Sequence, residues 1–187
     1  MRSARTPLDQ GRVLSFAATV GQTAGMTASR TPVVDPRMLR LLGFEDLHTG
    51  MRESLMKTVM DSDVVGFARL SGDDNPLHLC DVYAAETRFG QRIAHGLYTA
   101  SLISAVLGTR LPGPGAIYIS QTLNFRAPVR IGDTVHVQVE VVELIPDRHR
   151  ARLACTCRVG EEVVLDGEAL IKVPSAANSP PLLSPGG

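Results

Sequence analysis

The stretch His95-Gly96-Leu97-Tyr98-Thr99-Ala100-Ser101-Leu102-Ile103-Ser104-Ala105-Val106-Leu107 decides the fold of this chain. It is long enough for several helical turns and opens next to a glycine. Only Thr99, Ser101 and Ser104 interrupt its apolar run from Leu97 to Leu107. A helix that is apolar nearly all round is buried on every side. Ala100, Ser101, Ser104, Ala105 and Gly108 are small, which lets such a helix lie close against a sheet.

The flanking sequence supplies that sheet. Pro112-Gly113-Pro114-Gly115 is a turn, and Ala116 to Phe125 reads as a strand. Thr134 to Leu144 alternates strictly, with Val135, Val137, Val139 and Val141 on one face. Pro146-Asp147 turns the chain, and Ala151 to Val159 and Val163 to Val173 are two more strands around Gly160. Upstream, Arg52 to Met60 reads as a first strand. Asp61 or Ser62 caps a helix that ends at Gly72, and Val82 to Phe89 is a short helix closed by Gly90. One strand, a buried helix and four strands in a row make an α+β layout, an antiparallel sheet curled around one helix. A curled sheet leaves an edge, and pairing with a second copy is a common way to cover it, so a homodimer is expected.

With 187 residues the chain suits one domain with tails. Residues 51–174 are assigned to the domain, 1–50 to a partly disordered N-terminal extension and 175–187 to a disordered tail marked by Pro180-Pro181 and Pro185-Gly186-Gly187. The extension carries Arg2, Arg5, Arg12 and Arg30 but only Asp9 as an acid before Asp35. It reads as a disordered segment, as an over-long start with the natural start at Met26, Met38 or Met51, or as a mitochondrial transit peptide. Within it, residues 38–44 form a short helix or a packing arm. Nineteen basic and nineteen acidic residues cancel, which gives no electrostatic case for a nucleic acid or a membrane surface as partner. No segment reaches the roughly 18 uninterrupted apolar residues of a membrane span. Cys80, Cys155 and Cys157 are not a disulfide framework. Cys155 and Cys157 fall on one face of a strand and read as buried reduced thiols, which points to the cytoplasm, with the mitochondrion as alternative. No Cys or His spacing suits a metal site.

The chemistry sits in Asp73-Asp74-Asn75-Pro76-Leu77-His78, where a carboxylate and an imidazole flank a proline-bent backbone. Converging on one small molecule, they can give and take protons in the same step. Ala94-His95-Gly96-Leu97 then opens the long helix, whose free N–H groups can face a developing negative charge. Acid, base and oxyanion donor together point to an enzyme acting on a carbonyl compound.

These residues also carry a family resemblance. Phe67-Ala68-Arg69-Leu70-Ser71-Gly72 followed by residues 73–78 resembles the hydratase signature of the MaoC-like family, with the (R)-specific enoyl-CoA hydratases as its closest branch. Ala94-His95-Gly96-Leu97, Gly115-Ala116-Ile117-Tyr118, Leu123-Asn124-Phe125-Arg126-Ala127-Pro128-Val129 and Ile131-Gly132-Asp133-Thr134-Val135 match the following blocks in order. The resemblance spans about residues 52–173 and says nothing of the first fifty.

It implies a hot-dog fold, a dimer with active sites near the interface, and reversible hydration of a trans-2-enoyl thioester to the (R)-3-hydroxyacyl thioester. By this match Asp73 and His78 are the acid–base pair that activates a water. The Gly96 backbone N–H is aimed at the thioester oxygen. Asn75 fixes the loop through side-chain bonds to backbone, and Ser104 faces inward by spacing, near the pair. Asp74 reads as solvated, and His95 as a residue bonding within the loop. No metal or cofactor is needed, because the thioester carbonyl is the electron sink. The substrate is an acyl-CoA, with Arg126 or Arg130 placed to meet its phosphates. The alternatives are a 3-hydroxyacyl-[acyl-carrier-protein] dehydratase acting on an acyl-carrier-protein thioester and a non-catalytic hot-dog subunit that binds an acyl group or a partner. A thioesterase on the same fold has no motif behind it.

Overall fold

The computed structural model describes residues 41–176. In chain order the elements are β1 (Arg52–Thr58), α1 (Asp61–Ser71), α2 (Pro76–Leu79), α3 (Asp81–Ala85), α4 (Gly96–Thr109), β2 (Ile117–Gln121), β3 (Asn124–Phe125), β4 (Thr134–Ile145), β5 (Arg150–Val159) and β6 (Glu162–Lys172). The strands form one sheet in the order β1-β4-β5-β6-β2, with β3 also on β6. Every pairing is antiparallel.

The sheet curls around α4. Val135, Val137, Val139 and Val141 of β4 are fully buried, as the alternation predicts. The β4–β5 register sets Val137 opposite Cys157, Val139 opposite Cys155 and Val141 opposite Leu153. Against that wall α4 packs Leu102, Ile103, Val106 and Leu107. Its Thr, Ile, Val and Gly residues each cost about 0.5–1 kcal/mol in helix propensity relative to alanine. Burying each large aliphatic side chain returns about 1.5–3 kcal/mol. Burial wins, so α4 is held by the sheet and not by its own propensity.

The structure corrects the burial expected for this helix. Leu97, Ser101, Ser104, Ala105 and Gly108 are exposed in the single chain. The large residues, not the small ones, face the sheet. An apolar pattern reports that a surface is covered but not by which chain.

Three further expectations change. The strand read over 116–125 is two pieces, because the register shifts between Tyr118 and Ser120 and the chain leaves β6 between Gln121 and Asn124. There the Thr122 N–H donates to the Glu168 carbonyl and the Thr122 Oγ1 accepts the Glu168 N–H, both at 2.9 Å. Gly167 is required at this crossing, since a Cβ there would lie 1.8 Å from the Thr122 carbonyl oxygen. α1 is capped one residue before the expected position: Met60 is the cap, and its N–H donates to Asp63 Oδ2 at 2.8 Å. The helix read over 82–89 ends at Ala85, and α2 was not foreseen.

The domain boundary placed at residue 50 also moves. Leu42, Phe44 and Leu47 are buried in the same core. The Phe44 N–H donates to the Pro174 carbonyl at 2.9 Å, and Glu45 accepts from the Ala176 N–H and the Ser175 hydroxyl. A short 3₁₀ turn at Phe44–Asp46 has no helical or strand period to reveal it. The expectations for residues 1–40 and 177–187 lie outside the described residues.

Burial drives the Cys155 and Cys157 thiols up to about 11 and about 12, whereas Cys80 is exposed. Near about pH 8 the thiolate is the reactive form, so a thiol-titrating disulfide reagent is expected to count one cysteine, Cys80, in the folded protein. All three should react after unfolding in guanidinium. Rapid reaction of Cys155 or Cys157 in the native state would contradict this core.

Candidate active site

α1 stops because Gly72 takes the left-handed conformation, φ +77°. The chain then bends through Asp73, Asp74 and Asn75, all exposed. Asp73 Oδ1 accepts the Asn75 N–H at 3.3 Å, and Asn75 Oδ1 accepts the Leu77 N–H at 3.0 Å. Asn75 is thus the N-cap of α2, with Pro76 at its first position, where a missing N–H costs nothing. The loop-fixing role expected for Asn75 is visible in these bonds. This one-turn helix points His78 inward, where it is 8% exposed.

The His78 ring has a defined tautomer. Its Nδ1 lies 2.8 Å from the Ile93 carbonyl oxygen. A carbonyl only accepts, so Nδ1 carries the proton and Nε2 keeps a lone pair. The Ile93 carbonyl is itself held in place: Ile93 bridges to Arg130, and the Ala94 N–H donates to the Val129 carbonyl at 2.7 Å. The sheet and the His78 ring are therefore connected through one backbone segment.

His95 follows as the N-cap of α4 and is 2% exposed. Its Nε2 lies 3.0 Å from the Asp73 carbonyl, and its ring sits 3.8 Å from the His78 ring, centroid to centroid. A carboxylate oxygen of Asp73, a ring nitrogen of His78 and a ring nitrogen of His95 all lie within 4.8 Å of one another. The two residues singled out as acid and base do converge. These three side chains are the one group among the described residues whose donor atoms could share a metal ion. Sequence spacing gives no sign of the third donor, because His95 lies 17 residues beyond His78. Each histidine already commits one ring nitrogen to a backbone carbonyl.

Beside the pair lies a cleft of about 240 Å³, lined by His78, Ile93, Gly96, Phe125, Val129 and Leu165 among others. Gly96 opens α4, so its N–H has no acceptor one turn back in the helix. A Cβ on Gly96 would come 2.7 Å from the Phe125 ring, so close packing also demands glycine here. The mostly apolar wall suits an acyl chain better than a sugar or a nucleotide.

Other expected site residues lie elsewhere. Ser104 does not face inward; it is exposed on the side of α4 turned away from the sheet, because the turns carrying Ile103 and Val106 direct it outward. Arg126 lines the cleft, but its guanidinium is engaged by Asp166 through contacts of 2.7 and 3.2 Å. The backbone N–H of Arg130 donates to Asp133.

Sequence reasoning missed Arg92. Its guanidinium bonds Asp61 at the start of α1 and Asp81 at the start of α3, each at 2.7 Å, and reaches the His78 carbonyl at 3.5 Å. One side chain therefore braces both ends of the segment that carries Asp73 and His78. Its partners are 31 and 11 residues away, so no local pattern reveals it.

The family profile described as the MaoC like domain matches residues 45–163. The chain belongs to the MaoC-like domain family. This MaoC-like chain is 72% identical over 144 residues to the 3-hydroxybutyryl-CoA dehydratase of Methylorubrum extorquens, covering 77% of this chain and 92% of that one. It is 53% identical over 132 residues to the (R)-specific enoyl-CoA hydratase of Rhodospirillum rubrum, covering 71% and 92%. Among solved structures it resembles the (R)-hydratase from A. caviae involved in PHA biosynthesis, with a TM-score of 0.68 and 42% identity, covering 70% of this chain and 99% of that chain. The fold of this MaoC-like domain is the expected hot-dog fold. Among the described residues no helix is long and apolar enough to cross a membrane.

Both carboxylates that hold Arg92 are largely exposed, so each ion pair is individually weak and the clamp acts through its geometry. Arg92→Met is expected to raise amide hydrogen exchange across residues 73–81 about tenfold and leave the protection of β4, β5 and β6 as it was. Unchanged exchange in that segment would mean that Arg92 braces nothing.

Proposed function

We propose that this MaoC-like protein is an (R)-specific enoyl-CoA hydratase that adds water reversibly to a trans-2-enoyl-CoA, giving the (R)-3-hydroxyacyl-CoA. The observation that carries the reading is the approach of the Asp73 carboxylate to the His78 ring, within 4.8 Å, beside an apolar cleft bordered by Gly96. The sequence identity to two enzymes named for this reaction or its reverse supports it.

The chemistry follows from the placement. Asp73 and His78 Nε2 hold one water against the C2=C3 bond of the bound enoyl group. His78 Nε2, which keeps its lone pair because Nδ1–H is held by the Ile93 carbonyl, takes a proton from that water. As the water oxygen bonds to C3, the π electrons move toward C2 and the thioester oxygen. The Gly96 N–H stabilises the negative charge that develops there, and the proton that the Asp73–His78 pair has taken from the water is returned to C2. Positioned proton transfer of this kind contributes roughly 10²–10⁴-fold. Dehydration runs through the same steps in reverse.

The test is loss of absorbance at the enoyl-thioester band with crotonyl-CoA. The wild type is expected to consume it, and Asp73→Asn and His78→Ala, correctly folded, to lose at least about 100-fold in kcat. Activity surviving in both variants would assign the chemistry to other residues. Failure of the wild type on short and long enoyl-CoA would refute the reaction, and matched carrier-protein thioesters then test the dehydratase alternative.

The same reading includes a homodimer. The exposed side of α4 carries Leu97 at 60% exposure, and the edge strand β2 exposes Ile117 and Ile119. A second copy laid on these surfaces would complete the burial that the apolar helix demands. Sedimentation equilibrium is expected to give twice the chain mass for the wild type and a shift toward monomer for Leu97→Glu; a monomeric wild type would end the dimer reading.

A further inference from the structure

His95 stands out because it breaks a local rule. N-cap positions favour Ser, Thr, Asp or Asn, whose side chains bond the first free N–H groups of the helix. His95 is the N-cap of α4 and makes no such bond. Its side chain turns back to the Asp73 carbonyl, 22 residues earlier. The carbonyl accepts, so Nε2 carries the proton and Nδ1 holds a lone pair. That Nδ1 is buried with no hydrogen-bond partner among the described residues. The fold therefore tolerates both an uncapped helix start and an orphaned nitrogen to keep one bond. Departures of this kind concentrate at functional sites.

The bond matters because of what else holds the loop. The Asp73 N–H donates to Ser71 Oγ, the Asp74 N–H to the Gly72 carbonyl, the Asn75 N–H to Asp73 Oδ1 and the Leu77 N–H to Asn75 Oδ1. All of these reach no further than two residues. Among the described residues, the bond from His95 is the one hydrogen bond that ties residues 73–77 to a distant part of the chain. The same ring lies tilted against His78 at 3.8 Å and against Phe67 at 5.0 Å, centroid to centroid. One buried side chain thus touches both partners of the acid–base pair.

We propose that His95 is a positioning residue, whose Nε2–H bond to the Asp73 carbonyl holds the Asp73 carboxylate at the working distance from His78. The proposal rests on the hydratase reading for its catalytic consequence and on the loop geometry for its structural one. His95 does not exchange protons with substrate. It sets where Asp73 stands, and a misplacement of about 1 Å in a site of this kind can cost on the order of 100-fold in rate.

Two substitutions separate the bond from the ring. His95→Gln keeps a donor at the reach of Nε2 and loses the ring; His95→Phe keeps a ring and loses the donor. With crotonyl-CoA, His95→Phe is expected to lower kcat about 100-fold with KM within about threefold, and His95→Gln to recover to within about tenfold of the wild type. A second readout does not depend on the reaction. The Asn75 amide bonds the Asp73 carboxylate, so its hydrogen exchange should rise about tenfold in His95→Phe and stay near the wild type in His95→Gln. If His95→Phe keeps its kcat, or if both variants fall alike while the Asn75 amide is unchanged, the ring only fills space and the proposal is wrong. If the wild type hydrates no enoyl thioester, the reaction reading fails and the Asn75 amide alone decides whether His95 holds the loop.

Discussion

The packing of α4 into the concave face of the sheet is the constraint on which everything else depends. Leu102, Ile103, Val106 and Leu107 can be buried only if the sheet curls over them, with β4 and β1 lying against the helix. Once they do, the start of the helix is fixed at one end of the sheet. Gly96, His95 and the Ile93 carbonyl come with it, because the Ala94 N–H and Ile93 are bonded to residues 129 and 130, just before β4. The placement of the candidate site is thus a consequence of hydrophobic burial some turns away, and the polar groups refine a position they do not create.

At the site itself, backbone carbonyls do the orienting. A carbonyl can only accept, so each one that meets an imidazole nitrogen decides which nitrogen holds the proton. Ile93 does this for His78, and the Asp73 carbonyl does it for His95. The arrangement is economical in charge. Neither histidine needs an ionised partner to fix its tautomer, so neither takes up the carboxylate of Asp73, which among the described residues accepts only the Asn75 N–H. Arg92 supplies the ionic restraint through Asp61 and Asp81, both of them exposed, while its own side chain is mostly covered.

Much of this was legible in the sequence, for reasons that differ by element. The alternation of Val135, Val137, Val139 and Val141 has a single reading, and the strand is where it predicts. The Asp73-to-His78 spacing, the glycine after His95 and the ordered blocks around them led to the family and to the convergence of acid and base. What stayed hidden depends on distance or on direction. Arg92 joins residues far apart in the chain. The 3₁₀ turn at Phe44 has no period. Ser104 shows the limit of spacing arguments: its helix is apolar on several sides, so periodicity alone does not say which side meets the sheet. The break between Gln121 and Asn124 turns on Gly167, whose missing side chain matters only because Thr122 crosses above it.

The clasp between the two ends of the folded unit has one more consequence. Phe44 bonds to Pro174, and Glu45 to Ser175 and Ala176, so the polypeptide enters and leaves the domain at one place. A fold with adjacent entry and exit points behaves as a cassette. It can be spliced into a loop of a host protein without forcing the host's strands apart, and its own ends can be joined by a short bridge and reopened at a surface turn such as the one at Pro146–Arg148. The contacts that hold residues 44 and 45 to residues 174–176 thus make the domain portable between larger architectures.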